Sequence, residues 1–162
     1  AQRDHGRQGS AHGRIQPTLR VMADSASPSI AEVMTTEVIT VDRSQALSEV
    51  YDLFESRSIH HLPVLDGQRP VGMVSATDVL RLVYDIEDPS DRMMRSMLDH
   101  QFNIDDAMTV ELDTLGVDAT VHDAADRLSG GDYHSVVVVD AVGHLAGIVT
   151  STDLIRYLRD IT

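Results

Sequence analysis

Cysteine is absent from the 162 residues, and so is lysine: all 13 basic residues are arginine. Without cysteine there is no disulfide framework, no thiolate metal site and no thiol nucleophile, and a cytoplasmic protein is the expectation. Positive charge is scarce altogether, 13 arginines against 26 acidic residues for a net charge of −13. Four of those arginines sit in the first 21 residues, so from Met22 onward nine face 25 acids, a net −16. Such a surface repels phosphate backbones and acidic lipids at long range, which sets nucleic acid and membrane aside as partners. It fits a salt-adapted source and an ordinary acidic protein alike. Long apolar runs are missing too: none approaches the roughly 20 residues needed to span a bilayer, and the first residues lack the apolar stretch of a secretory signal. What is present is 42% hydrophobic and 24% charged, enough for one compact domain or two small half-domains.

Residues 1–28, rich in Gly, Ser, Gln, His and Arg and without periodicity, read as an arm that builds no core. The arm is either disordered or added ahead of a natural start at Met22-Ala23-Asp24-Ser25, with an arginine-rich organellar transit peptide as the alternative. From Ser29 the chain repeats itself. Met34-Thr35 matches Met108-Thr109, His60 matches His134 and Asp66 matches Asp140 at an offset of 74. After one added residue in the hairpin turn, Gly72-Met73-Val74-Ser75-Ala76-Thr77-Asp78 matches Gly147-Ile148-Val149-Thr150-Ser151-Thr152-Asp153 at an offset of 75.

Each copy reads as strand, helix, strand, strand, helix. In the first, Val38 to Val41 is a short β-rich run, Leu47, Val50, Leu53 and Phe54 recur at helical spacing, and Asp66-Gly67 joins two apolar runs as a hairpin. The fold class is therefore α/β (α+β), two β-α-β-β-α repeats over 29–84 and 103–162, packed about a pseudo-twofold axis because neither buries its sheet alone. Residues 85–102 form a linker with a short helix holding Met93, Met94, Met97 and Leu98. That methionine cluster either covers the protein's own core or meets a partner.

The matched heptapeptides start helices. Ser75 and Thr150 are N-caps, and Asp78 and Asp153 follow three residues on, near the positive end of the helix dipole. A carboxylate there can also accept from two ribose hydroxyls beside N–H groups open to a phosphate. With His60-His61-Leu62-Pro63-Val64-Leu65-Asp66 and its counterpart His134 to Asp140, the pattern is similar to a pair of CBS (cystathionine beta-synthase) domains, a Bateman module, over residues 29–160.

The resemblance implies a regulatory rather than catalytic protein. It would bind an adenosyl ligand (AMP, ADP, ATP or S-adenosylmethionine, with or without magnesium) between the repeats, form a homodimer and act on an unknown regulated protein. Carried over by position, Asp78 and Asp153 hold the ribose, and Ser75 and Thr150 stand near the phosphate or ribose. Thr40 and Thr114 approach the nucleotide from the first strand of each copy, and the pairs His60-His61 and His134-Ser135 face the phosphates. Some members have His-Arg at that pair. Here the arginine is missing from both copies, and Arg57, Arg81, Arg127 and Arg156 are the available substitutes if they turn inward.

Met34, Val38, Ile59, Leu62 and Val136 serve as core or as walls for an adenine. Two features predict unequal half-sites: Val137 stands where the first copy has Pro63, and Gly130-Gly131 ends the first helix of the second copy. No required cofactor, metal-ligand spacing, P-loop, G-x-G-x-x-G or G-x-S-x-G is present, so no enzyme is expected. The alternatives are a ligand-free dimerising scaffold and, more remotely, a metal-assisted phosphohydrolase.

Overall fold

The computed structural model describes residues 27–84, 90–131 and 133–162; most of the expected arm (residues 1–26) and the first part of the expected linker (85–89) lie outside the described residues. Two three-stranded sheets carry the fold. The first has β1 (Val41–Asp42), β2 (His61–Asp66) and β3 (Arg69–Ser75) in that order, and the second has β4 (Thr114–Gly116), β5 (Ser135–Val139) and β6 (Leu145–Thr150). In each, the first pair is parallel and the second an antiparallel hairpin. Asp66-Gly67 turns the first hairpin with Gly67 at φ 62°, a left-handed conformation that glycine adopts without steric cost. Val41 pairs with Val64 and Leu115 with Val138, so the 74-residue offset read from sequence is also the structural one.

The helices are α1 (Leu47–Ser56), α2 (Ala76–Leu82), α3 (Asp91–Gln101), α4 (Ile104–Ala107), α5 (Val121–Ser129) and α6 (Ser151–Ile161). Capping boxes open α2, α5 and α6, pairing Ser75 with Asp78, Thr120 with Asp123 and Thr150 with Asp153. At α1 the N-cap position is Ala46, which has no side-chain acceptor. Asp99 of α3 supplies one instead: its carboxylate accepts from Ser48 N–H at 2.9 Å and from the Ser48 hydroxyl at 2.7 Å. Arg95 of α3 adds an ion pair to Asp52 of α1 and lies 6.0 Å from the centre of the Tyr51 ring. Leu98 is fully buried and Met94 partly, both in the first core, while Met93 faces solvent. No helix among the described residues is long and apolar enough to cross a membrane.

Each repeat's opening segment is packed into the other repeat's half of the molecule. A 3-10 turn at Ile30–Glu32 puts Ile30, fully buried, into the core built by Ala124, Leu128, Val136, Val138 and Val149. In return α4 puts Ile104 and Ala107 into the core of Leu47, Val50, Leu62, Val64 and Val74. Backbone pairs lock both crossings. Thr35 and Ile148 exchange hydrogen bonds at 2.9 and 3.0 Å, and Met73 and Thr109 do so at 2.9 Å each way.

The glycine that begins each heptapeptide exists for these crossings. A methyl group on Gly147 would stand 2.9 Å from both the Thr35 carbonyl oxygen and Met34 Sδ; on Gly72 it would collide with the Met108 side chain and approach the Thr109 carbonyl to 3.0 Å. Gly147→Ala and Gly72→Ala are each expected to cost about 1–3 kcal/mol by overpacking. At roughly 2–4 °C per kcal/mol for a chain of this size, a thermal melt registers the loss.

Candidate functional site

Two clefts lie between the repeats, related by the pseudo-twofold. The larger, about 690 Å³, has one wall from residues 35–39 and 58–62 and the other from Ile148 and the start of α6. The smaller, about 200 Å³, has one wall from residues 109–113 and 133–137 and the other from Met73 and the start of α2. Both therefore take residues from each repeat. His61 and His134, with ring centres 6.1 Å apart and planes tilted by 44°, line both and form the partition.

The capping carboxylates point their functions in two directions. Asp153 Oδ2 accepts from Thr150 N–H at 2.8 Å and from the Thr150 hydroxyl at 2.7 Å, while Oδ1 accepts from Arg156 Nη1 at 3.0 Å. Asp78 Oδ2 accepts from Ser75 N–H at 3.1 Å and from its hydroxyl at 2.6 Å; Arg81 Nη1 stands 3.6 Å from Oδ1. Oδ2 is thus committed to starting the helix. Oδ1, held only by a flexible arginine, is the oxygen that can accept from a vicinal diol. Asp153 is the more enclosed of the two, its side chain 12% exposed against 26% for Asp78.

Of the ten residues singled out from sequence, eight line a cleft. His60, Thr150 and Asp153 belong to the larger, Ser75, Asp78 and Ser135 to the smaller, and His61 and His134 to both. Thr40 and Thr114 line neither. The reading from sequence began the first strand at Val38, but β1 starts at Val41, and residues 35–39 are instead drawn across to Ile148. Val38 and Ile39, with Leu112 and Asp113 in the second copy, occupy the walls in place of the two threonines.

Among the four candidate arginines, Arg156 alone lines a cleft, the larger one. Arg127 is turned to Asp113, whose carboxylate accepts from Nη1 at 2.9 Å. Val38, Ile59 and Leu62 line the larger cleft, whereas Met34 packs against the second core and Val136 is buried within it. Sequence reasoning missed Asp113 and Tyr133, which line the smaller cleft. Their signal was a mismatch: they stand where the first copy has Ile39 and Ile59. Among the described residues no three His, Asp or Glu side chains converge as a metal site.

The CBS domain family matches residues 30–85 and 104–160. The chain belongs to that family. Its two CBS domains superpose on the CBS-pair protein CBSX2 of Arabidopsis thaliana with a TM-score of 0.71 and 24% identity, covering 84% of this chain and 97% of that one. CBSX2 has also been solved in complex with AMP, with a TM-score of 0.70 to this chain. The CBS domain pair of protein MJ0100, solved with 5′-methylthioadenosine and S-adenosyl-L-methionine, gives 0.68 at 22% identity, covering 85% of this chain and all of that one (100%). These likenesses establish the fold.

Among curated proteins, one of Methanocaldococcus jannaschii with no described activity is 29% identical over 153 residues, 88% of this chain but 34% of that one. A second from the same organism is 25% identical and 43% covered, so the chain spans about two fifths or less of these relatives.

His61 has its pKa lowered from 6.5, first by burial and then by the neighbouring imidazoles of His134 and His60, with Asp78 opposing. A depressed histidine binds fewer protons folded than unfolded, so its contribution to stability is complete above pH 6.5 and is lost as pH falls through the lower folded value. His61→Gln is expected to flatten the fall in thermal midpoint as pH drops below 6.5. An unchanged slope in parallel melts across that window would show that His61 is not its source.

Proposed function

We propose that this CBS pair is a non-catalytic regulatory module of the cytoplasm that binds an adenosine-containing ligand between its repeats. The observation that carries this is the make-up of the clefts: each joins a helix-starting Ser or Thr and Asp from one repeat to an extended segment of the other. The AMP complex of CBSX2 and the 5′-methylthioadenosine and S-adenosyl-L-methionine complexes of the MJ0100 pair support the ligand class. In this reading Asp153 and Asp78 take the ribose diol through Oδ1, Thr150 and Ser75 stand beside it, and the His60-His61 and His134-Ser135 pairs face the 5′ substituent. Arg156 supplies, in the larger cleft, the positive charge missing from the His60-His61 pair.

Regulation follows from geometry. A ligand touching both repeats shifts their relative placement only as far as it binds one arrangement better than another, and that difference is what a regulated protein reads. Magnesium would enter only with a polyphosphate. A panel of AMP, ADP, ATP and S-adenosylmethionine in thermal melts tests the reading. A ligand at 100 times its dissociation constant adds about 2.7 kcal/mol, at roughly 2–4 °C per kcal/mol. Asp153→Ala is expected to abolish the shift due to the larger cleft. No shift with any of the four would leave the alternative, a ligand-free scaffold for protein–protein association.

Association has its own support. Leu80 on α2 and Ile155 on α6 are matched positions, 48% and 67% exposed, and Leu158 and Ile161 extend the second apolar face. We expect these faces to bury each other in a homodimer, with Ile155→Glu plus Leu158→Glu giving a monomer by analytical ultracentrifugation.

A further inference from the structure

The two clefts differ at matched positions in a way that changes their chemistry. Asp113 in the smaller cleft stands where the larger has Ile39, and its partner Arg127 on α5 stands where α1 has Leu53. An apolar pair in one repeat is an ion pair in the other. Asp113 is 7% exposed. One of its carboxylate oxygens accepts from Arg127, and Oδ2 is buried with no hydrogen-bond partner among the described residues. A buried carboxylate oxygen lacking a donor is costly, and natural proteins rarely keep one unless something else supplies the donor.

Charge separates the clefts in the same sense. Asp78, Glu111 and Asp113 line the smaller, and no arginine does among the described residues: Arg127 is spent on Asp113, and Arg81 extends into solvent beside Asp78. The larger holds Glu37 and Asp153 together with the guanidinium of Arg156. A phosphate in the smaller cleft would face three carboxylates, of which Asp113 already occupies Arg127, and no guanidinium lines the cleft to receive it.

We propose that the smaller cleft is a separate site that excludes phosphate and selects an adenosyl ligand with a neutral or cationic 5′ substituent. The ligand brings an N–H donor to Asp113, and the larger cleft takes the phosphorylated nucleotide. The inference rests on the adenosyl reading above and adds which chemistry goes to which cleft. The ligand's N–H completes the shell that Arg127 leaves half-filled, and a sulfonium or amine gains from the carboxylates that repel phosphate. The smaller volume, about 200 against 690 Å³, also favours a short methylthio tail over a di- or triphosphate.

Isothermal titration of the full chain with AMP, 5′-methylthioadenosine and S-adenosylmethionine tests it. Asp113→Ile together with Arg127→Leu copies the Ile39 and Leu53 pair already present in the other repeat. It is expected to weaken both phosphate-free ligands at least tenfold while AMP stays within twofold. Arg156→Gln is expected to do the reverse, and saturating AMP to leave S-adenosylmethionine binding in place. Asp113→Asn, which preserves shape, should weaken S-adenosylmethionine more than the neutral thioether; it decides the matter if the double variant does not fold. Unchanged affinity for the phosphate-free ligands in a folded Asp113 variant, or their competitive displacement by AMP, overturns the inference. Binding of AMP alone to the native chain overturns it while sparing the adenosyl reading, and binding of none of the three sinks both.

Discussion

The fold and its clefts depend on one constraint: each repeat's opening segment must reach the other repeat's hairpin before it returns to its own sheet. Thr35 is tied to Ile148 by two backbone hydrogen bonds, and six residues later Val41 is already paired with Val64. The chain between has to span the gap between the two sheets, and in doing so it becomes the wall of the larger cleft. Thr109, tied to Met73, and Leu115, paired with Val138, repeat the arrangement around the smaller. A cleft is therefore what this kind of crossing leaves behind. Gly72 and Gly147 set how closely the crossing segment approaches, so the width of each cleft is coupled to the packing of both cores.

In the proposed function the capping aspartates join stability and recognition in a single side chain. Because Oδ2 closes the capping box at Thr150 or Ser75, the carboxylate is held in one rotamer with Oδ1 presented to the cleft. No ordering cost is left for the ligand to meet at that residue, which is the physical sense of a preorganised site. The same economy makes alanine a blunt probe there, since it removes a helix cap, typically worth about 1 kcal/mol, along with the ligand contact. Asparagine keeps an acceptor oxygen for the cap and puts an amide N–H donor in place of the cleft-facing oxygen, so it removes the charge and that acceptor while sparing the helix start.

Most of the architecture was legible because it is written in local signals repeated twice. The 74-residue offset, the Asp66-Gly67 turn and the Ser and Thr caps each depend on a few neighbouring residues, and each is found in the structure. Gly131 likewise follows α5 in a left-handed conformation, φ 81°. What was not legible depends on distant partners. The strand at Val38 was overridden by pairing of Thr35 to a residue 113 positions away, Ile148, and Thr40 lies off the wall; Thr114 keeps its place in β4, paired with Val137, and lines neither cleft. Which arginine turns inward is a matter of competing carboxylates: Arg127 finds Asp113, and Arg156 finds Asp153 at the cleft. Asp113 itself was overlooked because an internal repeat draws attention to positions that agree, and its significance lies in a position that does not.

That disagreement bears on how two sites communicate. The partition is not itself twofold symmetric: His61 is matched by Ser135, and His134 by His60, yet it is His61 and His134 that face each other across the axis. Any charge placed in one cleft acts on an imidazole that also lines the other. An anion in the larger cleft favours protonation of His61, against the burial that disfavours it. With a phosphate on one side and a cation on the other, the direct attraction between ligands is favourable. An added proton on the partition offsets part of it by repelling the cation. The coupling between clefts is then strongest where His61 stays neutral. By linkage it is the same free energy whichever ligand arrives first. Two identical phosphate sites around the same partition would instead repel each other across it. Under the ligand assignment proposed above, divergence at Ile39 and Asp113 turns a duplicated fold from one that opposes double occupancy into one that favours it.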